Sequence, residues 1–162
     1  MAARFGQNDR RPDVLIYVNG LPLVLFELKN PYEEEPNTLG AFNQVQHYRS
    51  GIAQLFDFNA LVIVSDGGLV GHAEDDTPHA AGSTVHGMWT APWEWYAPWK
   101  SVDGRSVVES AAGAMKTLIE GLFPKERLLH YLRHFIAFEV VNEKIEKKGA
   151  KYHQYFGVRF VA

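Results

Sequence analysis

Residues 11–31 read RPDVLIYVNGLPLVLFELKNP. From Leu21 to Pro31 the run is almost wholly apolar apart from Glu27 and Lys29, and burying an unpaired charge in such a run is costly. Asp13 to Val18 is rich in β-branched and aromatic residues, Asn19-Gly20 is a strong hairpin signal, and Leu21 to Lys29 returns as a second strand. Both strands are apolar on both faces, which predicts a sheet covered by helices on each side. Along the second strand Leu23, Leu25, Glu27 and Lys29 line one face, and Val24, Phe26 and Leu28 the other. The plainest reading of Glu27 and Lys29 is therefore an ion pair at the end of a strand.

Asp13 complicates that reading, because the hairpin carries it back alongside Glu27. Two carboxylates and a lysine then stand close together. Such an acidic pair needs a positive charge between its members or a proton on one of them, and oxygen ligands suit a hard divalent cation such as Mg²⁺. Lys29 would be left to hold or polarise a water for attack on a phosphodiester. The geometry sets a condition. A strict two-residue turn pairs Val18 with Leu21 and hence Asp13 with Phe26, on the face opposite Glu27. A slip of one residue is required, from a three-residue loop or a β-bulge, and Pro22, which cannot donate a ladder hydrogen bond, marks the expected place.

Outward from this hairpin, Pro31 to Asn37 reads as an acidic loop, with Asn37 or Thr38 capping a helix that runs to about Phe56. Phe42, Val45, Ile52 and Leu55 form its apolar face. Ala60 to Ser65 predicts a third, buried strand, turned by Asp66-Gly67-Gly68 into Leu69 to His72. Strand, strand, helix, strand is the order of an α/β core. Residues 73–101, with Trp89, Trp93, Trp95, Tyr96 and Trp99, read as an irregular loop pinned to the core by its aromatics, or as a stacking platform for bases. Two amphipathic helices are expected near Val107 to Phe123 and Lys125 to Phe138, separated by Pro124. The tail from Glu139 to Ala162 is basic and then aromatic. Residues 1–138 thus form an expected domain, incomplete at its N-terminus, and 139–162 a linker towards something beyond.

The chain of 162 residues is 46% hydrophobic, enough for one packed domain. It has no cysteine, which removes disulfides and thiolate metal sites and suits a reducing cytosol. Its apolar runs are far shorter than a membrane span, so a soluble, intracellular protein with no membrane partner is expected. Charge is uneven. From Asn30 to Trp99 there is one base, Arg49, against nine acids, whereas from Asp103 onward ten Lys and Arg face seven acids. That basic part is either a solvated helix surface or a face for phosphates.

Pro12-Asp13, thirteen intervening residues, and Glu27-Leu28-Lys29 resemble the PD-(D/E)xK nuclease motif. The surrounding words are similar to the nuclease region of the R (motor and nuclease) subunit of type I restriction enzymes. Gln44-Val45-Gln46-His47-Tyr48 resembles the accompanying QxxxY element, whose Gln44 and Tyr48 share a helix face and approach the site or the DNA backbone. Further likeness runs through NALVIVSDG, PWKSVDG, GLFPKERLLHYLRHFIAFE and KYHQYFGVRFV. The resemblance implies a restriction-endonuclease-like α/β core, a mixed sheet flanked by helices, with Asp13, Glu27 and the Leu28 carbonyl holding Mg²⁺ (Mn²⁺ substituting) and Lys29 assisting the attacking water. It implies cleavage of double-stranded DNA, with methylation and specificity subunits as partners in the full protein. ATP would drive translocation there, with Gln154 of KYHQYF contacting adenine. The family also has helices, a strand and an acidic residue ahead of RPD and motor domains after the region matched by Ala162. This chain has no GxxxxGK[ST] phosphate loop.

Two rival readings remain: a non-catalytic scaffold or interaction module of the same fold, and a free-standing DNA-repair nuclease. Elsewhere, His130 and His134 have i, i+4 spacing but no third metal ligand in the motif. His72, His79 and His86 read as solvated loop residues, and no glycine-flanked nucleophile suggests a Ser-His-Asp arrangement.

Overall fold

The computed structural model describes residues 11–29, 38–66, 84–110 and 113–161. The opening hairpin forms as β1 (Val14–Val18) and β2 (Leu21–Leu28), closed by Asn19 and Gly20, both with positive φ (51° and 81°), as a two-residue turn that continues the strand twist requires. Val18 pairs with Leu21 and Tyr17 with Pro22, but Ile16 pairs with Val24, so Leu23 is the extra residue of a bulge. The expected slip thus occurs beside Pro22. Beyond it Leu15 faces Leu25 and Val14 faces Phe26, and the next step along the register sets Asp13 towards Glu27.

Helix α1 (Thr38–Gly51) crosses over to β3 (Leu61–Ser65), which lies parallel to β2 with Val24 opposite Leu61 and Leu28 opposite Ser65. The helix was expected to continue to Phe56. It stops at Gly51, a poor helix former, and a separate 3₁₀ turn spans Ala53–Phe56. Residues 73–101 are not wholly a loop. β4 (Thr84–Gly87) adds antiparallel to β3, and β5 (Ala97–Pro98) to β4, completing a mixed sheet of order β1-β2-β3-β4-β5. Tyr96 and Trp99 are buried as pins, as expected. Asn37, the proposed turn at Gly67-Gly68, the strand Leu69 to His72, and His72 and His79 lie outside the described residues.

Alternation along β2 and β3 sends their side chains into two cores. On one face Leu25, Val62 and Val64 pack with Ala41, Val45 and Tyr48 of α1. On the other, Val24, Phe26, Leu61 and Ile63 meet Trp99 and the helices α2 (Ala114–Leu122), α3 (Lys125–His134) and α4 (Tyr152–Val161). The sheet is flanked by helices on both faces, as its two-sided apolar strands predict. Helix α2 begins later than expected: after a turn in which Asp103 Oδ1 accepts the N–H groups of Arg105 and Ser106, the Val108 N–H donates back to Lys100 O at 2.8 Å instead of entering a helix. Helix α3 ends at His134, and the β-branched and aromatic run that follows forms β6 (Ile136–Val141), paired antiparallel with β7 (Lys144–Gly149) through positive-φ Asn142 and Glu143. After this hairpin Tyr155 and Phe156 of α4 enter the core of Val24, Phe26 and Trp99. Among the described residues no helix is long and apolar enough to cross a membrane.

Helix α2 approaches the sheet connection so closely that a Cβ on Gly121 would lie 2.4 Å from Ser101 O and 2.4 Å from Trp99 Nε1, which are bonded to each other at 2.7 Å. Gly121→Ala is therefore expected to lose about 2–3 kcal/mol of stability, read as a lowered urea midpoint with unchanged slope. An alanine variant as stable as wild type would mean that α2 can withdraw without cost.

Candidate functional site

Six of the residues singled out in the sequence meet at the open end of the β1–β2 hairpin. Asp13 Oδ2 accepts the Leu28 N–H at 2.7 Å, so the side chain continues the ladder one step past the end of β1. Lys29 N donates in the other direction, to Ser65 O on β3 at 2.7 Å. Since N–H and C=O of an extended residue point to the same edge, the Leu28 carbonyl faces the Asp13 side. Glu27 is 1% exposed and lies on the α1 face, where Tyr48 Oη donates to Glu27 Oε2 at 2.9 Å. Gln44 Nε2 donates to Tyr48 Oη at 2.8 Å, and Lys29 Nζ donates to Gln44 Oε1.

The ion pair of the plainest reading does not form. Among the described residues Lys29 makes no ion pair with Glu27 or Asp13, and its ammonium is held by an amide oxygen instead. The consequence shows in Glu27, whose pKa is raised to about 7. Burial is the main cause and the Asp13 charge adds to it, while the Tyr48 hydrogen bond and Lys29 lower it only in part. Burial also lifts the Tyr48 phenol above its ordinary range, so it stays protonated and able to donate. Glu27 thus holds its proton to a much higher pH than an ordinary carboxyl.

Two neighbours were not singled out from the sequence. Arg11 contributes its carbonyl, 3.3 Å from Tyr48 Oη. Asp66, read as a turn residue, is 1% exposed and follows Ser65, the register partner of Leu28, so it stands level with Lys29 at the end of the parallel pair. A charged residue closing an apolar strand was the available signal. Gln154 takes no part here: its Oε1 accepts the Lys151 N–H at 2.8 Å, capping the start of α4. His86 is corrected. It sits on β4, 3% exposed, edge-on to Trp99 and Tyr131, and burial lowers its pKa to about 4, so it is a neutral core residue and not a solvated one. The His130 and His134 rings lie tilted against each other with centroids 4.9 Å apart, and no group of three His, Cys, Asp or Glu suited to a metal occurs among the described residues.

Tyr48→Phe removes a donor from Glu27 and an acceptor from Gln44. It is expected to cost about 1–2 kcal/mol and to move the Glu27 titration upward, read by carboxyl-carbon NMR. A titration that stays in place would show that the phenol does not hold the carboxylate.

Residues 1–76 match the family model described as "Type I restriction enzyme R protein N terminus". The chain is 41% identical over 154 residues to the type I restriction enzyme HindI endonuclease subunit of Haemophilus influenzae, covering 92% of this chain and 13% of that protein. It is 27% identical over 166 residues to a protein of Methanocaldococcus jannaschii provisionally named type I restriction enzyme MjaIXP endonuclease subunit, covering 93% of this chain and 14% of that one. It therefore spans only about a seventh of these relatives' length. No solved structure matches it. Residues 1–76 thus resemble type I restriction enzyme R protein N termini, and most of the chain is similar to proteins named as endonuclease subunits of such enzymes.

Proposed function

We propose that this chain is the nuclease region of a type I restriction enzyme, a PD-(D/E)xK-type site that cuts double-stranded DNA phosphodiesters with a divalent cation. The observation that carries the reading is the bulge at Leu23, which turns Asp13 and Glu27 to one side of the hairpin end, beside the Leu28 carbonyl and Lys29. Two carboxylates and a backbone carbonyl are an oxygen donor set suited to Mg²⁺ or Mn²⁺. A Glu27 held near pH 7 by burial and by Asp13 also marks a place where a cation would restore the ionised form. The bound ion would supply charge stabilisation at the phosphate and a more acidic water.

The chain's own groups divide the remaining work. Asp13 and Glu27 each keep one oxygen outside the hydrogen bonds described, available to a ligand. Tyr48 and Gln44 fix Glu27 and Lys29 in place, so that little reorganisation is needed on binding. Lys29, bonded to an amide and not to a carboxylate, is available to hold a water or a phosphate oxygen. In the longer protein, acting in the cytoplasm, this cleavage would be coupled to ATP-driven translocation, with methylation and specificity subunits choosing the DNA.

The test is calorimetric titration of Mg²⁺ and Mn²⁺ into the chain at low salt, with linear duplex DNA sampled for cleavage. Saturable binding with metal-dependent cutting supports the reading. Absence of binding for both ions overturns it for this chain.

A further inference from the structure

Arg49 is the single base among nine acids between Asn30 and Trp99, yet none of the described acids takes it. Its guanidinium carbon lies 4.7 Å from the centroid of the Trp89 ring, and Nη1 donates to Gln46 Oε1 at 3.1 Å. From the far end of the chain β7 brings a second cation to the same ring: Lys147 Nζ is 5.9 Å from its centroid. Lys147 likewise forms no ion pair among the described residues, whereas its neighbour Lys148 is taken by Glu139 and Glu146.

The ring is a fixed platform. Trp89 O accepts from Gln46 Nε2 at 3.3 Å, the indole packs on Phe56 with centroids 5.4 Å apart, and the Lys147 N–H donates to Thr90 Oγ1 at 2.7 Å. Arg49 is exposed and Trp89 and Lys147 are half-buried, so solvent reaches the cluster. Two like charges converging on one indole repel each other, and an indole attracts each only weakly. An anion within reach of both would offset that repulsion.

Helix α1 indicates which anion. Arg49 directly follows Tyr48, which bonds Glu27, and lies five residues after Gln44, which bonds Lys29. At ~1.5 Å per residue that is roughly 7.5 Å along the helix axis, comparable with the axial advance of about two nucleotides at ~3.4 Å each in a duplex. We propose that Arg49 and Lys147, seated on Trp89, form a contact for a backbone phosphate of the duplex engaged at the hairpin end. The identity of the anion rests on the nuclease reading above. Such a contact positions the duplex and reads no sequence.

The test is fluorescence anisotropy of a labelled duplex with the 162-residue chain across a salt series, in Ca²⁺, which takes the same class of oxygen ligands. Arg49→Gln and Lys147→Gln are each expected to lower the slope of log affinity against log salt by about one, and the double variant by about two, equally for unrelated DNA sequences. Trp89→Phe keeps a ring and should keep most of the slope. A purely structural clamp would move the urea midpoint of these variants and leave the slope unchanged, which overturns the proposal, as does a wild-type chain that binds no duplex at low salt. Mg²⁺ calorimetry on the same samples separates the two readings. Slopes lowered without Mg²⁺ binding leave the phosphate contact standing and remove the nuclease reading. Mg²⁺ binding with unchanged slopes does the reverse.

Discussion

Asp13→Ala is expected to abolish measurable Mg²⁺ binding and to lower duplex cleavage by about 10³-fold or more, with the fold intact. The size follows from the division of labour. A cation at a phosphoryl centre contributes several kcal/mol of charge stabilisation, and ~4 kcal/mol is about three decades of rate. Little stability should go with it. Asp13 is exposed, and its one hydrogen bond among the described residues is from the Leu28 N–H, worth about 1 kcal/mol. Asp13→Asn keeps an acceptor for that N–H while removing the charge, so it should match wild type in urea unfolding and match the alanine variant in metal binding. Calorimetry, cleavage assays and unfolding on the three proteins decide the matter. An alanine variant with wild-type metal affinity would remove Asp13 from the site.

Glu27→Gln, in chelator-treated protein, is expected to raise stability at pH 8 by about 2 kcal/mol and to make no difference below about pH 4.5. In the unfolded chain this carboxyl titrates near 4.5 and in the folded chain at about 7. Between those values the unfolded form has released a proton that the folded form retains. The stability linked to Glu27 is therefore fully present below 4.5 and is lost as the pH rises through 7. A gap of this size is worth about 3 kcal/mol at full burial, and residual solvent screening brings it to about 2 kcal/mol. Glutamine keeps the shape and an acceptor for Tyr48, so only the charge changes. Mg²⁺ should reverse the order by stabilising wild type alone. Thermal unfolding across pH, with and without the ion, reads both effects; a variant no more stable than wild type at pH 8 would mean that ionised Glu27 is already well compensated.

The hairpin and its bulge were legible because local chemistry dictates them: Asn19-Gly20 sets the turn, Pro22 cannot pair, and parity alone shows that Asp13 and Glu27 need one extra residue between them. The partner of Lys29 was not legible. An ExK triplet suggests an ion pair, and only the placement of α1 shows Gln44 taking the ammonium. β4 escaped notice because TVHG is short, carries a glycine and is buried by pairing with β3 rather than by any pattern of its own; His86 was misread along with it. The β6–β7 hairpin turns at Asn142-Glu143, which lacks the glycine that announces such turns. Asp66 gains its place only through the parallel register of β3 with β2.

The six hydrogen-bonded residues of the hairpin end all fall between positions 13 and 48, on one hairpin and the helix that follows it. The network is thus a contiguous cassette, and the rest of the chain serves it as backing: β3, β4 and the aromatic pins press α1 against β2 through Val64, Val85 and Tyr96. Substitutions in that backing reach the carboxylates through the tightness of packing and through the β2–β3 ladder, which ends at the Lys29 to Ser65 bond. Conservative repacking of residues beyond 48 is therefore expected to leave the geometry of the cassette in place, as long as α1 keeps its apolar bed.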